Sequence, residues 1–119
     1  MTYNSTFKDR AAQAAAGTAV VVTFTVTSRG NGLFEGEIRI VNNGARELAN
    51  WQVSVALPGD RVVAVANASG FVIRGILQLE PASGATPVPP RGGALNVFFV
   101  AAGPQPVSGA CTYNQSPCA

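Results

Sequence analysis

Few residues in this chain are able to do chemistry. Six carboxylates, Asp9, Glu35, Glu37, Glu47, Asp60 and Glu80, are spread along 119 residues, and there is no histidine. Without imidazole, Ser/His and Cys/His nucleophile systems and histidine metal sites are excluded. Glu35 and Glu37 form the one close pair, two residues apart on one side of an extended segment at roughly 7 Å. That separation suits the acid and base of a glycosidase, yet such a pair must flank one bond from opposite sides. These two point the same way with Arg39 beside them, which is the pattern of a solvated charged stripe. Calcium needs several oxygens converging from one loop, and no Asp-rich loop is present. No catalytic residue, metal ligand or cofactor is therefore assigned, and the chain is read as a non-enzyme.

Cys111 and Cys118 bracket the segment CTYNQSPC, whose centre is rich in turn formers. A disulfide closing so short a loop would contribute about 2–3 kcal/mol and would imply an oxidising compartment. Two free thiols in a reducing cell are the alternative that spacing leaves open. Asn4, Asn67 and Asn114 each begin an N-glycosylation acceptor triplet. About one such triplet would arise by chance at this composition, so three add a modest argument for an extracellular or cell-surface location. The triplet at Asn114 is followed by Pro117, which makes it the poorest acceptor.

The elements that hold these residues are strands. Phe34, Gly36, Ile38 and Ile40 alternate with Glu35, Glu37 and Arg39, and Trp51, Val53, Val55 and Leu57 alternate with Gln52, Ser54 and Ala56. A period of two marks half-buried strands, and strands with one wet face belong to antiparallel sheets packed on a second sheet. Ala19–Ser28 is a strand with Val20, Val22, Phe24 and Val26 on one side and the wetter Val21, Thr23, Thr25 and Thr27 on the other. Turns fall at Gly30-Asn31-Gly32, Asn42-Asn43-Gly44, Leu57-Pro58-Gly59-Asp60 and Asn67-Ala68-Ser69-Gly70. Arg61–Ala66, Phe71–Glu80 and Ala94–Ala101 complete the strand set. Residues 81–93, PASGATPVPPRGG, are too rich in proline for a central strand.

The expected fold is all-β, a two-sheet antiparallel β-sandwich of about seven to nine strands. It occupies residues 18–119 and is preceded by a tail, residues 1–17, whose KDRAAQAAA stretch is too short to hold a helix without a partner. A chain of this length buries roughly two-thirds of its unfolded surface around one core and folds without a metal. Trp51, Phe24, Phe34 and Phe99 are assigned to that core. The Ala94–Ala101 strand is apolar on both sides, so Phe98 and Val100 need cover from the tail, the proline-rich loop or another molecule.

Charge narrows the partners. Only 12% of residues are charged, and the eight Lys and Arg stand singly for a net charge of +2. Phosphate recognition is built from clustered basic residues, so nucleic acid and anionic membranes are poor partners. No apolar run approaches the ~20 residues that span a bilayer, and residues 1–18 lack the hydrophobic centre of a secretory signal.

The series Phe34…Ile38-x-Ile40-x-Asn42-x-Gly44…Asn50-Trp51-x-Val53…Leu57-Pro58-Gly59…Val62…Asn67-Ala68, with Pro90-x-Gly92-Gly93 before Phe98-Phe99 and Tyr113-Asn114…Pro117-Cys118, carries a likeness. In this order the motifs resemble the cellulose-binding, family-two carbohydrate-binding modules over about residues 19–118. The resemblance implies a carbohydrate-binding-module sandwich of immunoglobulin-like architecture with Trp51 in its core. It departs from the family at two points. The family's first cysteine falls at about Val21, so Cys118 is left to pair with Cys111. The family's exposed aromatic strip falls near Gly30, Ala66 and Ala85, none of which is aromatic. Aromatic faces supply the apolar plates on which sugar rings stack, so the fold carries over and the binding strip does not.

Two functional expectations follow. The first is a non-catalytic extracellular structural module that packs into a fibre, coat or shell as a homo-oligomer or polymer, with Phe7, Val21, Phe98 and Val100 as its assembly surface. The alternative is a polysaccharide-binding module accompanying a carbohydrate-active enzyme, with Phe71, Arg74 and Gln78 as its glycan surface. Arg and Gln hydrogen-bond hydroxyls beside a ring, and Phe71 falls at a turn edge, where a ring is exposed.

Overall fold

The computed structural model describes residues 19–107 and 109–118. Among the described residues, nine strands form two antiparallel sheets: β1 (Val20–Gly30), β2 (Leu33–Asn42), β3 (Val53–Ala56), β4 (Arg61–Ala66), β5 (Ser69–Ile73), β6 (Ile76–Glu80), β7 (Gly93–Ala102), β8 (Cys111–Tyr113) and β9 (Ser116–Pro117). A four-stranded sheet has the order β1-β2-β7-β4, and a five-stranded sheet has the order β9-β8-β3-β6-β5. The expected β-sandwich is therefore present.

Alternation in the sequence becomes the two walls of the core. From the four-stranded sheet, Val22, Phe34, Ile38, Ile40, Val97 and Phe99 point inward, and they meet Val53, Val55, Leu77 and Leu79 from the other sheet. Trp51 lies just before β3 and is buried at 7% exposure, as its alternating neighbours imply. Phe99 is the centre of an aromatic cluster. The Phe24 ring stacks on it at 6.0 Å and the Phe34 ring meets it edge-on at 6.0 Å.

Asn42 is a polar residue buried whole within this core, at 2% exposure. Its Nδ2 donates to the carbonyls of Arg46 at 2.8 Å and Val88 at 3.1 Å, and its Oδ1 accepts from the Gly44 amide at 3.0 Å. Buried amides persist where every polar atom finds a partner, and here the partners are loop backbone groups. The same knot secures the proline-rich loop, because Leu48 and Val88 exchange two backbone hydrogen bonds of 2.9 Å. Val88 enters the core at 3% exposure. This part of the loop closes an end of the sandwich rather than covering Phe98 and Val100.

Two sequence expectations are corrected. The segment Phe71–Glu80 is not one strand after a turn at residues 67–70. It is the hairpin β5–β6, with Ser69 already in a strand and the chain reversing at Arg74-Gly75, whose φ values are 53° and 78°. Positive φ at both central residues is the two-residue turn whose twist matches a hairpin, and Arg74 occupies a position that Asn or Gly usually marks. The C-terminal segment is also a hairpin, β8–β9, turning at Asn114 and Gln115 with φ of 50° and 68°. Cys111 and Cys118 form a disulfide across it.

Candidate functional site

The outer face of the five-stranded sheet carries one continuous row of side chains. Phe71 on β5 lies opposite Gln78 on β6, Gln78 opposite Ser54 on β3, Ser54 opposite Thr112 on β8, and Thr112 opposite Pro117 on β9. Neighbouring strands are about 4.8 Å apart, so the row spans roughly 19 Å. Ser54 Oγ donates to Gln78 Oε1 at 2.7 Å, which fixes the Gln78 amide and leaves its Nδ-equivalent nitrogen, Nε2, free to donate outward.

Around this row the surface is shallow and mostly polar, with Glu80 as the carboxylate at its margin. Gln52, Ser54, Gln78, Thr112, Asn114 and Gln115 line a depression of about 450 Å³. A second hollow of about 490 Å³, lined by Asn50, Trp51, Gln52, Glu80, Pro81 and Asn114, continues it. Amides and hydroxyls both donate and accept, which matches the hydroxyls of a neutral sugar polymer. Phe71 ends the row at 42% exposure and supplies an apolar plate. Ile73 and Ile76, a cross-strand pair on the same face, extend that apolar end at 53% and 38% exposure.

Of the sequence-assigned glycan surface, Phe71 and Gln78 are direct cross-strand neighbours and Arg74 stands at the hairpin turn beside them. Ser54, Thr112 and Gln52 were not singled out. Their signal was the choice of amide and hydroxyl side chains, rather than charged ones, at the outward positions of two strands.

The sequence-assigned assembly residues are not gathered in one place. Val21 shares a row with Val41 and Ala94, whereas Phe98 shares one with Glu37 and Ala66. Phe98 and Val100 are half-buried between the carboxylate-bearing β2 and the alanines of β4. Phe7 lies outside the described residues, as does Asn4. Asn114 is exposed at its turn, while the Asn67 Nδ2 donates to the Asn96 carbonyl at 2.9 Å.

Glu35 and Glu37 lie on the outer face of β2, with the Thr27 hydroxyl donating to Glu35 Oε1 at 2.8 Å and Arg39 donating to the Asn96 side chain at 3.0 Å. No bond-flanking geometry results. The perturbed carboxyl is elsewhere. Both oxygens of Asp60 are buried without a hydrogen-bond partner among the described residues, and this loss of solvent raises its pKa above the ordinary 3.8. Tyr113 has its pKa raised by burial, partly offset by a hydrogen bond with Asn114.

No protein-family model and no curated protein sequence matches this chain. Solved structures do. The chitin-binding domain of Chi18aC from Streptomyces coelicolor superposes with a TM-score of 0.68 at 23% identity, covering 85% of this chain and 95% of that domain. The chitin-binding domain of a Pyrococcus furiosus chitinase gives a TM-score of 0.59 at 21% identity over 82% of this chain and 98% of that one. The chain has a carbohydrate-binding-module fold. The cellulose-binding family 2 domain of ScLPMO10C has it too, with a TM-score of 0.56 and 21% identity over 75% of this chain and 89% of that domain.

Within this carbohydrate-binding-module sandwich the three positions where the sequence resemblance places aromatic plates are scattered. Gly30 ends β1, Ala66 ends β4, and Ala85 lines a separate apolar hollow of about 280 Å³ beside Trp51. The outer face of the five-stranded sheet is where an exposed ring and a polar row coincide.

Proposed function

We propose that this chain is a non-catalytic module that binds a neutral polysaccharide of the chitin or cellulose type on the outer face of its five-stranded sheet. The observation that carries the reading is the row Phe71–Gln78–Ser54–Thr112, an apolar plate continued by uncharged donors and acceptors. A sugar ring would lay its C–H face on Phe71 while its hydroxyls exchange hydrogen bonds with Gln78, Thr112 and Gln52. The fold likeness to chitin-binding and cellulose-binding domains supports this alternative over the assembly reading. The disulfide supports an oxidising, extracellular setting.

Retention of the purified chain on insoluble chitin, cellulose and xylan tests the proposal. Retention on at least one polymer, lost in a Phe71→Ala/Gln78→Ala double variant that still folds, is expected. Flow-through on all three, or retention that the double variant leaves intact, refutes it.

A further inference from the structure

Among the described residues, the four sheet edges differ in how well they are protected. The β1 edge is broken by an irregularity between Val26 and Ser28, and the β4 edge by one between Val62 and Ala64. The β9 edge is two residues long and contains Pro117. The β5 edge has none of these devices. It runs regularly from Ser69 to Ile73, holds no charge between Asn67 and Arg74, and exposes Phe71, Val72 and Ile73 at 42%, 48% and 53%. An unbulged, uncharged, apolar edge is a template for another strand.

We propose that β5 pairs antiparallel with the β5 of a second copy, in register about Phe71, and that the dimer completes the glycan face. This rests on the reading of that face given above. The two-residue turn at Arg74-Gly75 makes Ile73 and Ile76 a hydrogen-bonded pair, so by alternation the backbone groups of Gly70 and Val72 point to the free edge. Gly70 of one copy and Val72 of the other then exchange bonds, and a two-fold axis repeats the exchange.

Side chains agree with this register. Gly70 is inward-facing, and a Cβ there would meet Val65 at 3.0 Å and Leu79 at 3.2 Å. Val65, Leu79 and Leu77 of the same chain fill the space a side chain would take, so position 70 presents only backbone to the edge. The same pairing sets Ile73 opposite Ser69, the residue paired with Glu80 on β6. Arg74 of each copy then stands at the same end of the seam as Glu80 of the other, about two strand spacings or roughly 10 Å away, a span their long side chains bridge with unlike charges. Phe71 meets its own copy as a non-hydrogen-bonded pair, the closer of the two kinds at about 4.5 Å between Cα atoms. One ring per chain becomes two adjoining plates in the middle of a ten-stranded face.

Sedimentation of the full chain over a concentration series, beside polymer retention, tests the dimer and its role separately. Wild type is expected at twice the chain mass, and a Val72→Lys variant as a monomer retained at least about tenfold more weakly, since the dimer presents two linked sites. A Phe71→Cys variant is expected to cross-link into disulfide dimers under oxidation, and Ile73→Cys to do so far less, because position 73 faces position 69. Wild type that stays monomeric at every concentration, or Cys variants that cross-link equally, overturns the pairing. A Val72→Lys monomer that binds as tightly as wild type overturns its link to the glycan face. A dimer with the expected cross-link that is retained on no polymer supports the pairing while refuting the polysaccharide reading.

Discussion

Gly36 lies directly across the ladder from Phe99, and a Cβ built on it would stand 2.5 Å from the Phe99 ring and 2.9 Å from the Phe24 ring. The glycine is the floor on which the aromatic cluster rests. No contact at that distance survives, so position 36 admits no side chain unless Phe99 moves. Gly36→Ala is expected to cost about 1–3 kcal/mol by overpacking, read as a lowered denaturation midpoint. Adding Phe99→Leu should return part of the loss. Unchanged stability of the single variant contradicts the close approach.

Phe71 and Trp51 separate binding from folding. Phe71 is exposed at 42% and Trp51 is buried at 7%. Phe71→Ala is expected to weaken polymer retention by about tenfold, on the order of 1–2 kcal/mol, with the melting curve of the monomer little changed. Trp51→Ala removes core volume and should destabilise by about 3–5 kcal/mol. Binding isotherms and thermal melts of both variants check the division, which fails if Phe71→Ala unfolds the chain.

Asp60 makes stability depend on pH. Its folded pKa is raised above the ordinary 3.8 by desolvation, so the fold holds the proton more tightly than the unfolded chain does. Its contribution is therefore fully present below the ordinary value and is lost as pH rises through the folded value. Asp60→Asn should be more stable than the parent at neutral pH and should lose that part of the acid-range slope. A parent whose melting temperature rises over the same window, or a variant with the parent's slope, contradicts the assignment.

The disulfide pins the β8–β9 hairpin, with Cys118 N–H also donating to the Cys111 carbonyl at 2.9 Å. The two cysteines are separated by 7 positions, and opening so short a loop is expected to cost about 2–3 kcal/mol. Chemical denaturation with and without a reductant measures this. Thr112 sits on that hairpin, so polymer retention should weaken in the same reduced sample.

Much of this could be read along the chain. The alternation in β2 and around β3, the turn at Asn31-Gly32, and the burial of Trp51, Phe34 and Phe99 were legible because they are properties of short segments. The β5–β6 hairpin was not, because Val72-Ile73 and Ile76-Leu77 flank an Arg-Gly turn that reads as one apolar run. The β8–β9 hairpin was too short to show a period, and its turn places Asn114 and Gln115 where glycine is commoner.

The sequence by itself determined the class of fold and the inward and outward side of most strands, because alternation is dictated by the pleat of each strand alone. It also named both cysteines, though spacing left their state open. Tertiary structure decided who stands beside whom. Phe71, Gln78, Ser54 and Thr112 come from four strands spread over 59 positions of chain, and backbone hydrogen bonds between those strands align them into one row. Those pairings depend on how segments far apart in sequence cover a common core, and so the candidate site exists only once the sandwich has closed.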